Sequence, residues 1–461
     1  MTASALELQP RRAARMPGAW PLLGHAPALL RDPLRFLTRA YRAGDVVSLR
    51  LGPKAAYLVN GQDAIKQILV ADAARYDKGF QFDQLRTLMG DGVGTTADPV
   101  KHRRQRRLLR PAFDHAHVET YVPVMAQAAQ EAAGRWPTVP SIDAGAEMRA
   151  LSMSVVARAM FDVGAGTSAE SPAAGTVLAA LPTLLGGMGR RAVLPLPVLD
   201  RLPTPGNRAF DRALTDLDAL ADRMVAERRA AAAADPSGAQ TAHCLLDTIL
   251  AAVDDDLRGM TDAQAHDEIM TVLLAGTETT AGTLSWILHV LSGDPESQRE
   301  VQREAEQVVG ASLPRAADLS ALRFTRRLVT EVLRLYPAGW ILGRRPMEAM
   351  SVADVTIPAG AQVLLNFYGL HRDPEIYTDP YRFDPGRWQD GETDPPRPHF
   401  LPFGLGPHAC LGEGFAMSQI LTTVAVVFSR YTVRPVPASV VRPVARITLH
   451  PGVVPLIVEE R

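Results

Sequence analysis

The ten residues Phe403 to Gly412, FGLGPHACLG, hold one of the chain's two cysteines inside a run containing three glycines. Gly404, Gly406 and Gly412 allow tight turns and close approach of the backbone to a flat ligand, so that amide N–H groups can converge on one sulfur. In the following GEGFAMSQILTTVAVVFSRY, Phe415, Ile420, Leu421, Val424, Val427 and Phe428 recur at helical spacing. Cys410 therefore sits just ahead of a helix N-terminus, whose partial positive charge favours a thiolate. A lone cysteine is more often a small buried hydrophobe. The glycine frame argues instead for a thiolate that binds a ligand.

A second cluster is AGTETTAG, Ala275 to Gly282, where small residues and threonines interrupt good helix formers. Threonine hydroxyls can bond back to carbonyls one turn earlier, so a bend is expected. Small residues here could also simply admit a neighbouring element. Glu278 favours chemistry, because a carboxylate in apolar surroundings is costly unless paired, hydrated or used. Glu331 and Arg334 form an i,i+3 pair on a helix ending near Pro337, and Arg387 lies in FDPGRW. Alone, such a pair is usually a solvated bridge. The run HRRQRRLLR, His102 to Arg110, reads by itself as a solvated helix face or a basic patch. Asp254, Asp255 and Asp256 could hold Mg²⁺ against a diphosphate, although Arg258 stands where the last carboxylate of a DDxxD arrangement belongs.

These residues need elements to position them. The longest helical segment runs from Thr261 to Ser292, opened by a capping box of Thr261 and Gln264 and closed by Gly293 and Pro295. Ile269, Val272, Leu273, Leu274, Leu284, Trp286, Ile287 and Leu288 make it apolar nearly all round, hence buried. Strands are expected between Val46 and Val59, from Met350 to Leu365, and from Tyr431 to the C-terminus. The rest reads as helix, giving a mainly α fold with small peripheral β-sheets. Residues 1–16 read as a flexible N-terminus and 17–461 as a single domain.

A net charge of −1 gives no overall reason to expect nucleic acid as a partner. Two cysteines cannot build a disulfide framework, and a reducing cytoplasm fits them best. No membrane anchor or signal-peptide core is apparent near the N-terminus.

The cysteine loop resembles the haem-ligand loop of the cytochrome P450 family, FxxGxxxCxG, with Phe403, Gly406, Cys410 and Gly412 at its four fixed positions. Ala275 to Thr280 matches the family's oxygen-activation pattern [AG]Gx[DE]T[TS], and the resemblance extends from Pro17 to the C-terminal strands. It implies haem b (protoporphyrin IX iron) between the long central helix and the cysteine-loop helix, with Cys410 as axial ligand. By the same resemblance Thr279 would hydrogen-bond the dioxygen being activated while Glu278 relays protons. Glu331, Arg334 and Arg387 would form a structural triad behind the loop. His102, Arg106, Arg344 and His408 would contact the propionates, with Arg345 a near alternative to Arg344; the family usually has Trp where His102 stands.

The resemblance further implies a monooxygenase acting on a lipophilic small molecule, with electrons from NAD(P)H through a ferredoxin and ferredoxin reductase, in a protein expected to be monomeric. Arginines of the 102–110 run could form a basic face for an acidic ferredoxin. HRRQRRLLRPAF and RRAVLPLPVLDRLPTPGNRAFDRAL resemble bacterial terpenoid hydroxylases of secondary metabolism, such as oxygenases of pentalenene. Phe80–Thr96, Leu181–Pro197 and Ala338–Leu342 are expected to line an apolar substrate pocket. Alternatives are a fatty-acid or polyketide hydroxylase, a Mg-dependent terpene cyclase side activity at Asp254–Asp256, and a haem sensor without turnover.

Overall fold

The computed structural model describes residues 13–52, 54–161, 172–193, 202–234, 244–388 and 399–461. Its centre is one long helix that the rest of the molecule surrounds. The helices that build the site are α1 (Phe80–Met89), α2 (Pro99–Leu109), α3 (His115–Ala133), α4 (Ala144–Phe161), α5 (Pro172–Val193), α6 (Pro205–Ala234), α7 (Asp262–Gly293), α8 (Arg323–Leu335) and α9 (Glu413–Phe428). The strands are β1 (Ala14–Arg15), β2 (Val46–Leu51), β3 (Lys54–Val59), β4 (Tyr76–Asp77), β5 (Ile142–Asp143), β6 (Leu342–Pro346), β7 (Met350–Val352), β8 (Val355–Ile357), β9 (Gln362–Leu365), β10 (Tyr431–Pro435), β11 (Val444–Ala445), β12 (Leu449–His450) and β13 (Pro455–Glu460).

Helix α7 starts where the sequence predicts. The Thr261 hydroxyl accepts from Gln264 N–H at 3.2 Å and the Gln264 side chain accepts from Thr261 N–H at 3.1 Å, a reciprocal capping box. Its 32 residues span about 48 Å. It packs on α1, α4, α6, α8 and α9, which is why apolar residues occupy nearly its whole circumference. It runs unbroken through Ala275–Gly282, where a bend was expected. The hydroxyls of Thr277, Thr279 and Thr283 donate to the carbonyls of Leu273, Ala275 and Thr279 and so remain inside the ladder.

The larger sheet has the order β1-β2-β3-β9-β6-β4, with β1–β2 and β3–β9 parallel and the other pairs antiparallel. Its β2–β3 hairpin turns through Gly52 at φ 62°. Strand β6 presents Arg344 and β4 leads straight into Lys78, so this sheet delivers two basic side chains to one place. A second sheet, β10-β13-β5, joins the C-terminal strands to the start of α4, and β7–β8 and β11–β12 are small hairpins. The fold is thus helical with small peripheral sheets, as expected. The chain is tied down from residue 14, earlier than the expected boundary at 17, because β1 pairs with β2 and Met16 is buried; residues 1–12 lie outside the described residues. No helix among the described residues is long and apolar enough to cross a membrane.

Candidate active site

The cysteine loop is built from glycines that cannot be replaced by larger residues without movement. Gly404 and Gly406 both hold φ at 74°, in the left-handed region, and a Cβ on Gly406 would lie 2.1 Å from the Leu69 carbonyl oxygen. Cys410 N–H donates to Phe403 O at 2.8 Å, closing the loop, and Phe403 packs against the main core. Arg106 reaches across from α2 and donates to Ala409 O at 2.6 Å. Cys410 is enclosed by protein on nearly every side, and yet its side chain is open to a water-sized probe, so it faces an internal space. Burial pushes the thiol pKa up, while the Gly412 N–H and the Arg106 charge act in the opposite direction. The lowered pKa expected from the helix N-terminus is therefore not reached by the protein alone.

Beside the loop the structure gathers basic groups with little to oppose them. Arg344 is buried, and its guanidinium donates to its own neighbour, Gly343 O, at 2.8 Å. The nearest carboxylate, Asp77, is held by Arg345, which also pairs with Asp83 at 2.9 Å. Arg345 is thereby committed elsewhere, and Arg344 is the residue that faces the site. His102 and His408 lie with ring centroids 4.1 Å apart. Burial first, then Lys78 for His102 and Arg344 for His408, lower their pKa values to about 4 and about 2. The His408 Nδ1 is buried without a hydrogen-bond partner.

Lys78, which the sequence did not single out, joins this cluster: burial and Arg344 depress it to about 7, and its Nζ donates to Val93 O at 2.5 Å. Arg344 is a buried cation bonded to a carbonyl, and Lys78 has Glu268 as its main opposing carboxylate, so this cluster of basic side chains is suited to an anionic group. A haem whose iron meets the Cys410 sulfur and whose propionates meet Arg344, His102, His408 and Lys78 fits both observations. Arg106 borders this cluster and braces the loop.

Near the middle of α7, Ala275 is accessible in an otherwise largely buried helix, and the Thr279 hydroxyl donates to its carbonyl at 2.8 Å. Gly276, one position on, faces α4, where a Cβ would stand 3.1 Å from Val156 Cγ2. Gly276 thus bears out the packing reading of the small-residue stretch, while the accessible Ala275 lies on another part of the same helix surface. Glu278 is largely buried; burial raises its pKa, opposed by Arg149 on α4.

The triad is more deeply placed than a surface bridge. Glu331 and Arg334 are fully buried and joined by two bonds of 2.8 Å, and Arg387 Nε reaches Glu331 at 3.2 Å. Trp388 Nε1 and Asp384 N–H also donate to Glu331. Arg334 donates in turn to His371 O at 2.8 Å, and His371 Nε2 accepts Leu401 N–H at 2.9 Å, two residues before Phe403. Burial holds the His371 pKa at about 3, which keeps the acceptor nitrogen free. This connection from the triad to the loop runs through a histidine that carried no motif.

Other expectations land differently. Asp254 accepts from Arg104 at 2.6 Å and from the N–H groups of Asp256 and Arg258, and Asp255 pairs with Arg107. Among the described residues no group of three or more His, Cys, Asp or Glu could hold a metal ion. The acidic turn is thus a clasp on α2, and two arginines of the expected basic face are neutralised by it. Of the expected pocket segments, Trp340 turns away: it is buried with Phe36 and Leu364, and its Nε1 donates to Arg446 O at 3.1 Å. In 181–197, the side chains beyond Met188 and the backbone beyond Val193 lie outside the described residues.

Comparison with known proteins agrees with this geometry. The chain is 37% identical over 460 residues to a cyclooctat-9-en-7-ol 5-monooxygenase of Streptomyces melanosporofaciens, covering 99% of this chain and 97% of that one. It is 36% identical to cyclooctatin synthase of the same organism, covering 96% and 95% of the two chains. Pentalenene oxygenase of Streptomyces avermitilis is also 36% identical, with 95% of each chain covered. A family model described as cytochrome P450 matches residues 15–453. The family match over residues 15–453, together with 36–37% identity to these relatives along nearly the whole chain, places this protein in the cytochrome P450 family as one of its monooxygenases.

Proposed function

We propose that this enzyme inserts oxygen into an unactivated carbon of a cyclic terpene in bacterial secondary metabolism, using haem b ligated by Cys410 and electrons from a ferredoxin and its reductase. The observation that carries the haem assignment is the gathering of the basic side chains Lys78, His102, Arg344 and His408 near the loop that carries the Cys410 thiol. Three relatives at 36–37% identity, two of them named for a terpene substrate or product class they act on as oxygenases, support the substrate class. Residues 17–461 act as one domain in this reading.

Bound haem supplies reductive activation of O₂. The chain would supply the rest: Cys410 would ligate the iron, and the basic cluster would bind the haem's carboxylates. Thr279 on α7 would supply a hydroxyl, now donating to the Ala275 carbonyl, that can hold a water or an oxygen substrate. Glu278 carries a raised pKa and can pass protons from the α4 side toward Thr279. Removing the hydroxyl separates proton delivery from reductant use. Thr279→Ala is expected to keep the reduced carbon-monoxide spectrum, to consume NADPH at a rate within a few-fold of the parent, and to divert most of it to hydrogen peroxide, with product down by roughly tenfold or more. Measuring peroxide and product against NADPH consumed checks this.

The substrate class is tested by supplying surrogate ferredoxin and reductase and comparing turnover of pentalenene and cyclooctat-9-en-7-ol with that of a saturated fatty acid and a macrolide. Oxygenation confined to the last two would replace the terpene reading. NADPH consumption without any oxygenated product would favour a haem sensor.

A further inference from the structure

The loop joining α1 to α2 is gripped by two charged side chains: Lys78 of the basic cluster, and Glu268, which the reaction chemistry does not use. Val93 sits in it with both backbone polar groups engaged. Its N–H donates to both carboxyl oxygens of Glu268, at 2.9 and 3.0 Å, and its carbonyl accepts from Lys78 Nζ at 2.5 Å. Glu268 is fully buried on α7 and Lys78 nearly so, at the end of β4. Burying a glutamate and a lysine is costly, and an ordinary loop peptide could be satisfied by water or by neutral groups. The surrounding backbone is shaped to the same grip. Asp91 N–H donates to Asp267 at 3.0 Å, a Cβ on Gly90 would lie 1.8 Å from the Asp267 carboxylate, and one on Gly92 would lie 2.7 Å from Thr271 Oγ1.

The grip connects three parts of the site. Glu268 precedes Ala275 by seven residues, about two turns or ~10 Å along the same face of α7. Lys78 faces the basic cluster of Arg344 and His102, and its ammonium stands over the Phe82 ring of α1 at 5.9 Å. Helix α1 also packs on α7 and α5.

We propose that Glu268 and Lys78 are positioning residues that hold the Val93 peptide from its two sides and thereby fix α1 over the substrate space, so that the grip sets affinity for bulky apolar ligands without touching the iron. The inference rests on the reading of residues 80–96 as a wall of that space. Its specific demand is an acceptor at Glu268 that α7 presents to the loop, so a glutamine, which keeps one acceptor oxygen at the same reach, preserves the wall, whereas an apolar side chain of similar volume releases it.

The test uses the holoenzyme and its Glu268→Leu and Glu268→Gln variants, with two iron ligands as probes read by their Soret shifts. Imidazole needs only the iron; 4-phenylimidazole also needs the wall. E268L is expected to bind imidazole as the parent does, to bind 4-phenylimidazole about tenfold more weakly, and to be cleaved faster by protease within residues 90–98; E268Q is expected to stay within about threefold of the parent for both ligands. Glu268→Asp, whose shorter side chain withdraws the acceptor, is expected to follow E268L and serves if that variant does not fold. Equal 4-phenylimidazole affinity and equal protease resistance in E268L and E268D would overturn the proposal, as would E268Q weakened as much as E268L. Loss of imidazole binding in the parent itself would instead overturn the haem reading on which the wall is defined.

Discussion

Cys410→Ala is expected to abolish turnover while leaving the protein folded. The residue lies in a loop whose shape is set by Gly404, Gly406 and the Cys410 N–H to Phe403 O bond, none of which needs the sulfur. The side chain faces an internal space and packs little, so alanine should cost about 1 kcal/mol or less in stability. Everything that depends on thiolate donation should go. Reduced protein with carbon monoxide should lose its Soret band near ~450 nm, and product formation should fall below ~0.1% of the parent rate, because no other side chain stands at that position. Any haem retained by the basic cluster would show a spectrum of different ligation. Survival of both the band and the product would remove Cys410 from the mechanism.

Glu331→Gln should produce the largest loss of stability. Its fully buried carboxylate receives two bonds from Arg334 and one each from Arg387, Trp388 and Asp384, of which those from Arg387 and Asp384 reach in from the partly exposed edge. Replacing it by a neutral amide leaves Arg334, fully buried, without a counter-charge, and presents an NH₂ group to a donor. Breaking a buried pair from one side typically costs about 3–5 kcal/mol. Chemical denaturation should show that loss, and because Arg334 also holds His371, which holds Leu401, haem retention should fall with it. Arg387→Lys, by contrast, keeps the charge at a partly exposed edge and should cost roughly 1 kcal/mol. If E331Q unfolds like the parent, the triad is not the support of the loop.

Motifs made the candidate reactive residues legible, and geometry supplied what motifs could not. Cys410, Thr279 and Glu278 were readable because their local spacing is itself the signal: glycines around a thiol, hydroxyl and carboxylate within a helical run. The capping box at Thr261 and the apolar circumference of α7 were readable for the same reason. Lys78 and His371 were not, since each acts through partners far away in sequence: Lys78 on Val93 and Arg344, and His371 on Arg334 and Leu401. Nothing in YDKGF or GLHRD distinguishes them from surface residues. Trp340 was read as pocket lining from composition, and its indole in fact serves a separate small core beneath the sheet. Arg344 and Arg345 show the limit most sharply: adjacent and identical in type, they point to opposite faces of a strand, one toward Lys78, His102 and His408 and one toward Asp77 and Asp83.

The clasp of Asp254 and Asp255 on Arg104 and Arg107 has a bearing on electron delivery. For a donor protein that approached α2, two of the five arginines between 102 and 110 would present charge already cancelled at short range, leaving less long-range attraction for a Debye layer to screen. Encounter rates at that face should therefore respond less steeply to added salt than five free arginines would make them.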